Sequence, residues 1–599
     1  MTANTDTHVL LRAFADELAR CGMRDACTSP GSRNAPLILA VAGEARLRSW
    51  SHVDERAAGF FALGLAKASG LPVAVTCTSG TAAAELLPAA IEAHEARVPL
   101  LLLTADRPAE LRDVGAGQAI DQLKLYGSAA KWFVEVELPP HADAAALRWI
   151  RTLACRAFAT SLEGRPGAVH LNFPLREPLV ALEVEELPPD DSGRAGGAPF
   201  VLRATSQPGR TTHEGVVRFL DAVRDARRGV IVAGRHEREA QLGDGPPTSL
   251  GQAASAFAAA LAWPLLADPM SGARRGAAAI AHYDALLRSD AIAAELRPDL
   301  VVRVGDLPVS KPLRGWLAGL RDTQQIVLDA EAAWQDPDAA VSLSLSLDPA
   351  ETLAALAELP EIEDDERVGA VAVDPDWLAR WRAADERAGT AIRTALAGEG
   401  LSEPAIAAEL GVLLPAEATL FVASSMPVRD IETFWPARPD PPRVLCNRGA
   451  NGIDGTVSSA FGAAAASSGP VVLLIGDVAL AHDVGGLLAA RRLGLELTIV
   501  ALDNGGGGIF DFLEVSRSPL ASSAYERHIA TPTGLDLAAV AAAYGLAHER
   551  PEDVRGFREA MERAFAGPGP TIVEVRTERA ANVALHRRVW EAVASGAAC

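Results

Sequence analysis

At 599 residues the chain is too long for a single hydrophobic core, and 49% hydrophobic with 22% charged residues excludes a disordered or fibrous protein. A formal charge of −21, from 56 Lys+Arg against 77 Asp+Glu, excludes nucleic acid as a partner recognised through bulk charge, so any anionic ligand has to meet a local cluster of cations. No stretch offers about 18 uninterrupted apolar residues and the first residues lack a basic, then apolar, leader, so a cytoplasmic protein without membrane insertion is expected.

From Val9 to about Leu187, helix-period segments alternate with short apolar runs such as 72–77 and 99–104, the pattern of βαβ units and a buried parallel sheet. The stretch 187–197, Leu-Pro-Pro-Asp-Asp-Ser-Gly-Arg-Ala-Gly-Gly, collects breakers and reads as a linker. A second block has strand-like runs at 229–234, 300–305 and 325–329 and closes near the acidic run 359–367. A third repeats the pattern at 418–423, 471–476, 497–502 and 570–575. The expected fold is α/β, three doubly wound parallel-sheet domains in series over 1–187, 198–366 and 374–599. The six cysteines, Cys21, Cys27, Cys77, Cys155, Cys446 and Cys599, form no CxxC pair and read as reduced thiols.

The strongest local signal lies in the third block. The run 471–475 leads into Gly476-Asp477, and the run 497–502 leads into Asp503-Asn504-Gly505-Gly506-Gly507-Gly508-Ile509-Phe510. In a parallel sheet both turns fall at carboxyl ends of strands, where such sheets bind ligands. An Asp and an Asn one βαβ crossover apart offer a carboxylate and an amide oxygen to Mg²⁺, and the glycines let backbone approach a diphosphate. On the residues alone, Asp477 reads equally well as a helix N-cap and the glycines as a plain loop. His482 and Asp483 follow without a third ligand at metal spacing and read as a helix N-terminal pair.

The Gly-Asp pair with Asn-Gly at this spacing resembles the thiamine-diphosphate motif of the decarboxylase and carboligase superfamily. Three further segments, 29–37 (Ser-Pro-Gly-Ser-Arg-Asn-Ala-Pro-Leu), 104–108 (Thr-Ala-Asp-Arg-Pro) and 447–455 (Asn-Arg-Gly-Ala-Asn-Gly-Ile-Asp-Gly), resemble the carboligases of menaquinone biosynthesis, transferases that join 2-oxoglutarate to isochorismate. The resemblance spans essentially the whole chain. It implies thiamine diphosphate with Mg²⁺ or Mn²⁺ as cofactors, and a homodimer or homotetramer with active sites between subunits. Asp477, Asn504 and the Gly506 carbonyl are its implied metal ligands; Gly476 and Ile509 complete the diphosphate side. Where the superfamily has Asn-Asn, this chain has Asp503-Asn504, with Asn504 the expected ligand.

Glu55 matches the glutamate facing the cofactor's aminopyrimidine ring, and Ile453 the apolar residue between its two rings. Both substrates are polyanionic, and guanidinium forks suit carboxylates. The implied substrate contacts are Ser32, Arg33, Arg107, Gln118, Lys311, Ser425, Arg429, Arg448 and Phe510, with Gln118 also assisting the chemistry. Some family members carry a basic residue after the lysine where this chain has Pro312. Two rivals are an acetolactate-synthase-like or oxalyl-CoA-type enzyme of the same superfamily, and a catalytically silent scaffold with the same fold.

Overall fold

Aliphatic runs bounded by Gly, Pro and Ser form three large sheets in which every pairing is parallel. The structure, a computed structural model, describes residues 3–180, 186–202, 213–236, 239–240, 248–358 and 374–596. The acidic run expected to close the central block and Cys599 lie outside the described residues.

The first sheet contains β1 (Asp25–Thr28), β2 (Arg48–Ser51), β3 (Val73–Cys77), β4 (Leu100–Asp106), β5 (Ala130–Glu135) and β6 (Ala168–Pro174), ordered β2-β1-β3-β4-β6-β5. The second is built from β7 (Gly229–Ala233), β10 (Leu265–Ala267), β11 (Leu300–Val304), β12 (Gln324–Leu328) and β13 (Leu343–Leu345), ordered β10-β7-β11-β12-β13, while β8 (Glu239–Ala240) and β9 (Thr248–Ser249) form a small antiparallel ribbon. The third comprises β14 (Thr419–Val422), β15 (Arg443–Cys446), β16 (Val471–Gly476), β17 (Thr498–Asp503), β18 (Ala547–Glu549) and β19 (Thr571–Arg576), ordered β15-β14-β16-β17-β19-β18. First and third sheets therefore share one strand order, 2-1-3-4-6-5 in each block's own count. Each reverses direction between its first and third strands, so each has a switch-point crevice at the carboxyl ends of those strands. The expected three α/β parallel-sheet layers are present.

Strands such as β3 and β4 are buried along their whole length, as sheets covered on both faces require. Helix starts follow the sequence closely. Asp54 caps the Glu55–Ser69 helix by accepting from the Ala57 amide at 2.9 Å, and Gly70, at φ +70°, ends it.

The chain divides into two compact units, and the division does not follow chain order. One comprises residues to Ser206 together with Asn447–Ser468 and His482–Leu497; the other holds Gln207–Cys446, Gly469–Ala481 and Thr498 onward. Within the first unit the Thr456–Ala466 helix lies against the Glu55–Ser69 helix at backbone contact. A Cβ on Gly64 would sit 1.9 Å from the Ser459 carbonyl oxygen, and one on Gly462 would sit 2.0 Å from that of Phe61. The 187–197 stretch is irregular, as its breakers predict, yet it is tied down: buried Arg151 donates to Asp190 at 2.6 Å and Ser192 at 2.8 Å.

Candidate active site

In the first unit the residues singled out from sequence follow the carboxyl ends of β1, β2, β4 and β15. The 29–33 turn after β1 runs close to the loop after β3, because Gly31 leaves no room for a Cβ, which would lie 2.4 Å from the Thr78 side chain. Arg33 is buried, donating to the Leu175 carbonyl at 2.8 Å and to Glu177 at 2.9 Å. It is therefore also a structural tether of the segment after β6. Ser32 beside it is exposed.

Arg107, after β4, donates to the hydroxyl of buried Ser79. Its neighbour Asp106 is committed elsewhere, to the Asn172 amide at 2.9 Å and to Arg112 at 3.0 Å, so the acid adjacent in sequence does not occupy the Arg107 guanidinium. Burial, and then the charge of Arg33, lower the Arg107 pKa from its ordinary value. A partly desolvated pair of guanidiniums is the local cation cluster that an acidic chain needs for an anionic ligand.

Glu55 opens its helix half-buried. Burial first, then the charges of Asp54 and Glu85, hold its carboxyl above the usual range. A glutamate so placed keeps a proton more readily than a solvated one. Gln118 is exposed and holds a left-handed backbone, φ +54°. The buried glutamine of this stretch is Gln122, which the motif reading missed. Its amide oxygen accepts from the Gly80 N–H at 2.9 Å, and its amide nitrogen donates to the Ala105 carbonyl at 3.1 Å and Asn172 at 2.9 Å. It thus fixes the Ser79-Gly80 turn against β4, and nothing in its sequence context distinguishes it from Gln118. Arg448 and Ile453, both half-buried, sit in the 447–455 loop, where Asn447 donates to Ser459 at 3.0 Å.

His482 and Asp483 are structural, though His482 closes the Asp477–His482 helix instead of opening one, and only Asp483 stands at a helical start, before the turn Val484–Leu487. Asp483 is fully buried and accepts from the Ser458 amide at 2.8 Å, and the His482 carbonyl accepts from Arg56 at 3.3 Å. The described cysteines are free thiols, among them Cys21 and Cys155 with their sulfurs 3.6 Å apart.

In the second unit, Asp477 stands at the end of β16 and Asn504 at the end of β17, adjacent strands of one sheet. Asp477 Oδ2 and Asn504 Oδ1 are both buried and have no hydrogen-bond partner among the described residues. Burial, with the nearby Asp503 charge, pushes the Asp477 carboxyl up to about 6. Two oxygens stripped of water and left without donors are a costly arrangement for an apo protein and a suitable one for a hard cation.

The Asn504 oxygen is turned to this position by a residue the motif reading missed. Glu403 is fully buried and accepts from the Asn504 amide nitrogen at 2.8 Å and from the Thr577 hydroxyl at 3.2 Å. With its nitrogen bound to Glu403, the Asn504 amide must aim its oxygen the other way. Glu403 reads in sequence as an ordinary helix-start acid after its cap Ser402, which is why it escapes notice. Asp503, by contrast, faces Arg576 at 3.7 Å.

Gly506 adopts φ +136°, and a Cβ there would lie 2.6 Å from the Ala530 carbonyl. Its own carbonyl accepts from Gly508 at 2.9 Å and retains a second lone pair. Gly476 has open space around it, Ile509 is half-buried and Phe510 is exposed. After β14, Ser425 has φ +78° and ψ −133°, a strained conformation for a residue with a Cβ and one that marks functional turns. Its carbonyl accepts from Arg429 one helical turn on. Lys311 is exposed in the first turn of its helix, capped by Ser310, and Pro312 fills a first-turn position where no backbone donor is needed.

These two constellations, a half-buried glutamate with guanidiniums and a pair of orphaned carboxylate and amide oxygens, fall on two sheets of identical strand order and belong to a known class of catalyst. Residues 9–125 match the N-terminal binding domain of thiamine pyrophosphate enzymes, 199–422 their middle domain and 428–575 their C-terminal binding domain. Among curated proteins, the chain is 44% identical over 590 residues, covering 98% of each chain, to the 2-succinyl-5-enolpyruvyl-6-hydroxy-3-cyclohexene-1-carboxylate synthase of Geobacillus kaustophilus. It is 43% identical over 587 residues to that of Geobacillus thermodenitrificans (97% of this chain, 95% of the relative), and 42% identical over 598 to that of Chloroflexus aurantiacus (98% and 96%). The chain belongs to the family of these synthases.

Proposed function

We propose that the chain decarboxylates 2-oxoglutarate and joins the remaining four-carbon unit to isochorismate, giving 2-succinyl-5-enolpyruvyl-6-hydroxy-3-cyclohexene-1-carboxylate. The observation that carries this reading is the 42–44% identity to synthases of that name along nearly the whole of both chains. In this reading the domains run over 1–187, 198–366 and 374–599.

Thiamine diphosphate, when bound, supplies the nucleophilic carbon that takes up the acyl unit of the 2-oxo acid. Glu55 exchanges a proton with the aminopyrimidine ring, a task its raised pKa supports. Ile453 holds the two rings apart. The orphaned oxygens of Asp477 and Asn504, with the Gly506 carbonyl, fit Mg²⁺ or Mn²⁺, and Gly476 and Ile509 line the diphosphate. Arg33, Arg107, Lys311, Arg429 and Arg448 hold substrate carboxylates, with Ser32, Gln118, Ser425 and Phe510 beside them; Gln118 also assists the bond-forming step. Fixing two anions in register supplies rate by orientation. A homodimer or homotetramer with sites between subunits completes the reading, and exposed Val114, Ile120 and Leu123 around Gln118 offer apolar surface for it.

Purified protein with thiamine diphosphate and Mg²⁺ is expected to release CO₂ from 2-oxoglutarate and to form the coupled product only when isochorismate is present. Consumption of pyruvate at an equal rate, with isochorismate changing nothing, would assign the chain to an acetolactate-type reaction instead.

A further inference from the structure

The helix that begins with Glu55 ends near Lys67, whose side chain is 0% exposed. Its ammonium lies 3.4 Å from Oε1 of Glu92, an acid on the Leu87–Ala96 helix with a side chain only 4% exposed. Read as sequence, Glu92 is one more polar residue on a helix face. In the fold its carboxylate does more than balance a lysine. Oε1 also accepts from the Gly449 N–H at 2.9 Å, and Oε2 accepts from the Ala450 N–H at 2.7 Å. Two consecutive backbone amides of the 447–455 loop thus converge on one buried carboxylate, in the manner of a small anion nest formed by the loop around a side chain.

A second observation points the same way. Gly449 lies so close to the Leu87–Ala96 helix that a Cβ would sit 2.6 Å from the Ala96 nitrogen and 2.9 Å from the Glu92 carbonyl oxygen. The loop is therefore pressed on the helix by shape as well as held by charge-assisted hydrogen bonds. Arg448 is the residue directly before the clamped amides, and Ile453 follows three residues after them. Further along, Gly455 (φ +61°) brings the loop onto Phe60, with no room for a Cβ, which would lie 1.9 Å from the ring.

We propose that Glu92 is a positioning residue for the reaction: through its bonds to Gly449 and Ala450, backed by Lys67, it sets the pose of Arg448 and Ile453 relative to the helix that carries Glu55. This deepens the function proposed above and rests on it for the roles of Arg448 and Ile453. Glu92 touches neither substrate nor cofactor. Its effect travels through the loop.

The test uses the full-length holoenzyme with Glu92→Gln, Glu92→Asp and the pair Lys67→Met with Glu92→Gln, the last removing the lysine charge so that folding is not lost to an unpaired buried ammonium. Hydrogen exchange read by mass spectrometry is expected to accelerate at least about tenfold in the peptide spanning 447–453, with the flanking strands unchanged. In steady-state kinetics, Arg448→Ala is expected to cost wild type much more than it costs the Glu92→Gln protein, because a mispositioned guanidinium has less to lose. Glu92→Asp is expected to recover part of the activity. Unchanged exchange in 447–453, or full additivity of Arg448→Ala with Glu92→Gln, overturns the proposal. Should wild type fail to couple the two acids at all, the function proposed above falls, and the exchange measurement alone still decides whether Glu92 holds the loop.

Discussion

The crossing of the Glu55–Ser69 and Thr456–Ala466 helices allows a prediction whose sign is set by structure against propensity. In an isolated helix Gly64→Ala stabilises by about 1 kcal/mol, since alanine loses less backbone entropy. Here the new methyl would lie 1.9 Å from the Ser459 carbonyl oxygen, and no real Cβ comes nearer than 3.0 Å to such an atom. The helices must part by about an ångström, and neither contacting group is a side chain that can swing aside. Overpacking of this kind costs about 1–3 kcal/mol, and backbone-on-backbone contact belongs at the upper end. A net loss of roughly 1–2 kcal/mol remains after the propensity gain, and the helix carrying Glu55 shifts with it. The control is Gly315→Ala, also within a helix, where a Cβ meets nothing within 4 Å and the propensity gain should appear undiminished. Scanning calorimetry of both variants, with activity measured alongside, should show opposite shifts in the transitions they affect. A Gly64→Ala protein as stable as wild type would refute the close crossing. Gly462→Ala makes the reciprocal clash with Phe61, and the double variant should cost less than the two singles combined, because the first methyl already opens the gap for the second.

Glu55→Gln should lower kcat by roughly 10²–10⁴-fold while thiamine diphosphate still quenches tryptophan fluorescence; undiminished turnover would remove Glu55 from the chemistry. Glu403→Met removes the acceptor that orients Asn504 and should weaken Mn²⁺ binding, read by electron paramagnetic resonance with diphosphate present, by about 10–100-fold; equal affinity would show that the amide needs no such partner. Arg107→Ala should raise KM or lower kcat for the acids with thiamine diphosphate affinity nearly intact, and unaltered kinetics would leave it a structural arginine. Acid should loosen the first unit through two buried histidines, because burial lowers His52 to about 4 and His170 to about 3. Both are neutral in folded and unfolded chains above pH 6.5, so their contribution is fully present there. As pH falls from 6.5 to 5 only the unfolded chain takes up the proton, costing the fold about 2 kcal/mol per histidine. Urea midpoints of wild type should therefore drop more steeply over that range than those of His170→Gln, and parallel slopes would count against the burial argument.

The three parallel sheets were legible because strands buried on both faces are written as unbroken aliphatic runs, and those at 229–234, 300–305 and 471–476 fall on β7, β11 and β16. The strand-end motifs were legible because the turn that follows each strand of such a sheet carries its own short signature, as at Gly476-Asp477 after β16 and Asp503-Asn504 after β17. Residues acting from outside those turns were not. Glu403, Glu92 and Gln122 each lie on or beside a polar helical or loop stretch where an acid or amide is ordinary, and only tertiary placement shows that each is buried and bonded to a functional turn. The grouping of 447–468 and 482–497 with the first unit was equally silent, because a small residue such as Gly64 or Gly462 carries no mark of the helix it will meet.

Those hidden residues share a physical logic that bears on how an acidic chain manages anionic chemistry. A carboxylate buried near a site for anions would repel them unless its charge is already spent. Glu92 spends it on an ammonium and two backbone amides, and Asp106 on Arg112, Asn172 and its own neighbouring amide. Arg107, beside Arg33, is held by a neutral hydroxyl and keeps its positive side for a ligand. Net charge thus says little about the site. Neutralising Asp106 should make the point experimentally: in Asp106→Asn the Arg112 guanidinium keeps its pairing with Glu135, so stability should fall by only about 1–3 kcal/mol, while affinity for the anionic substrates should hold or rise. A folded Asp106→Asn protein with weakened substrate binding would mean that this acid orients the ligand directly, and the charge argument would fail.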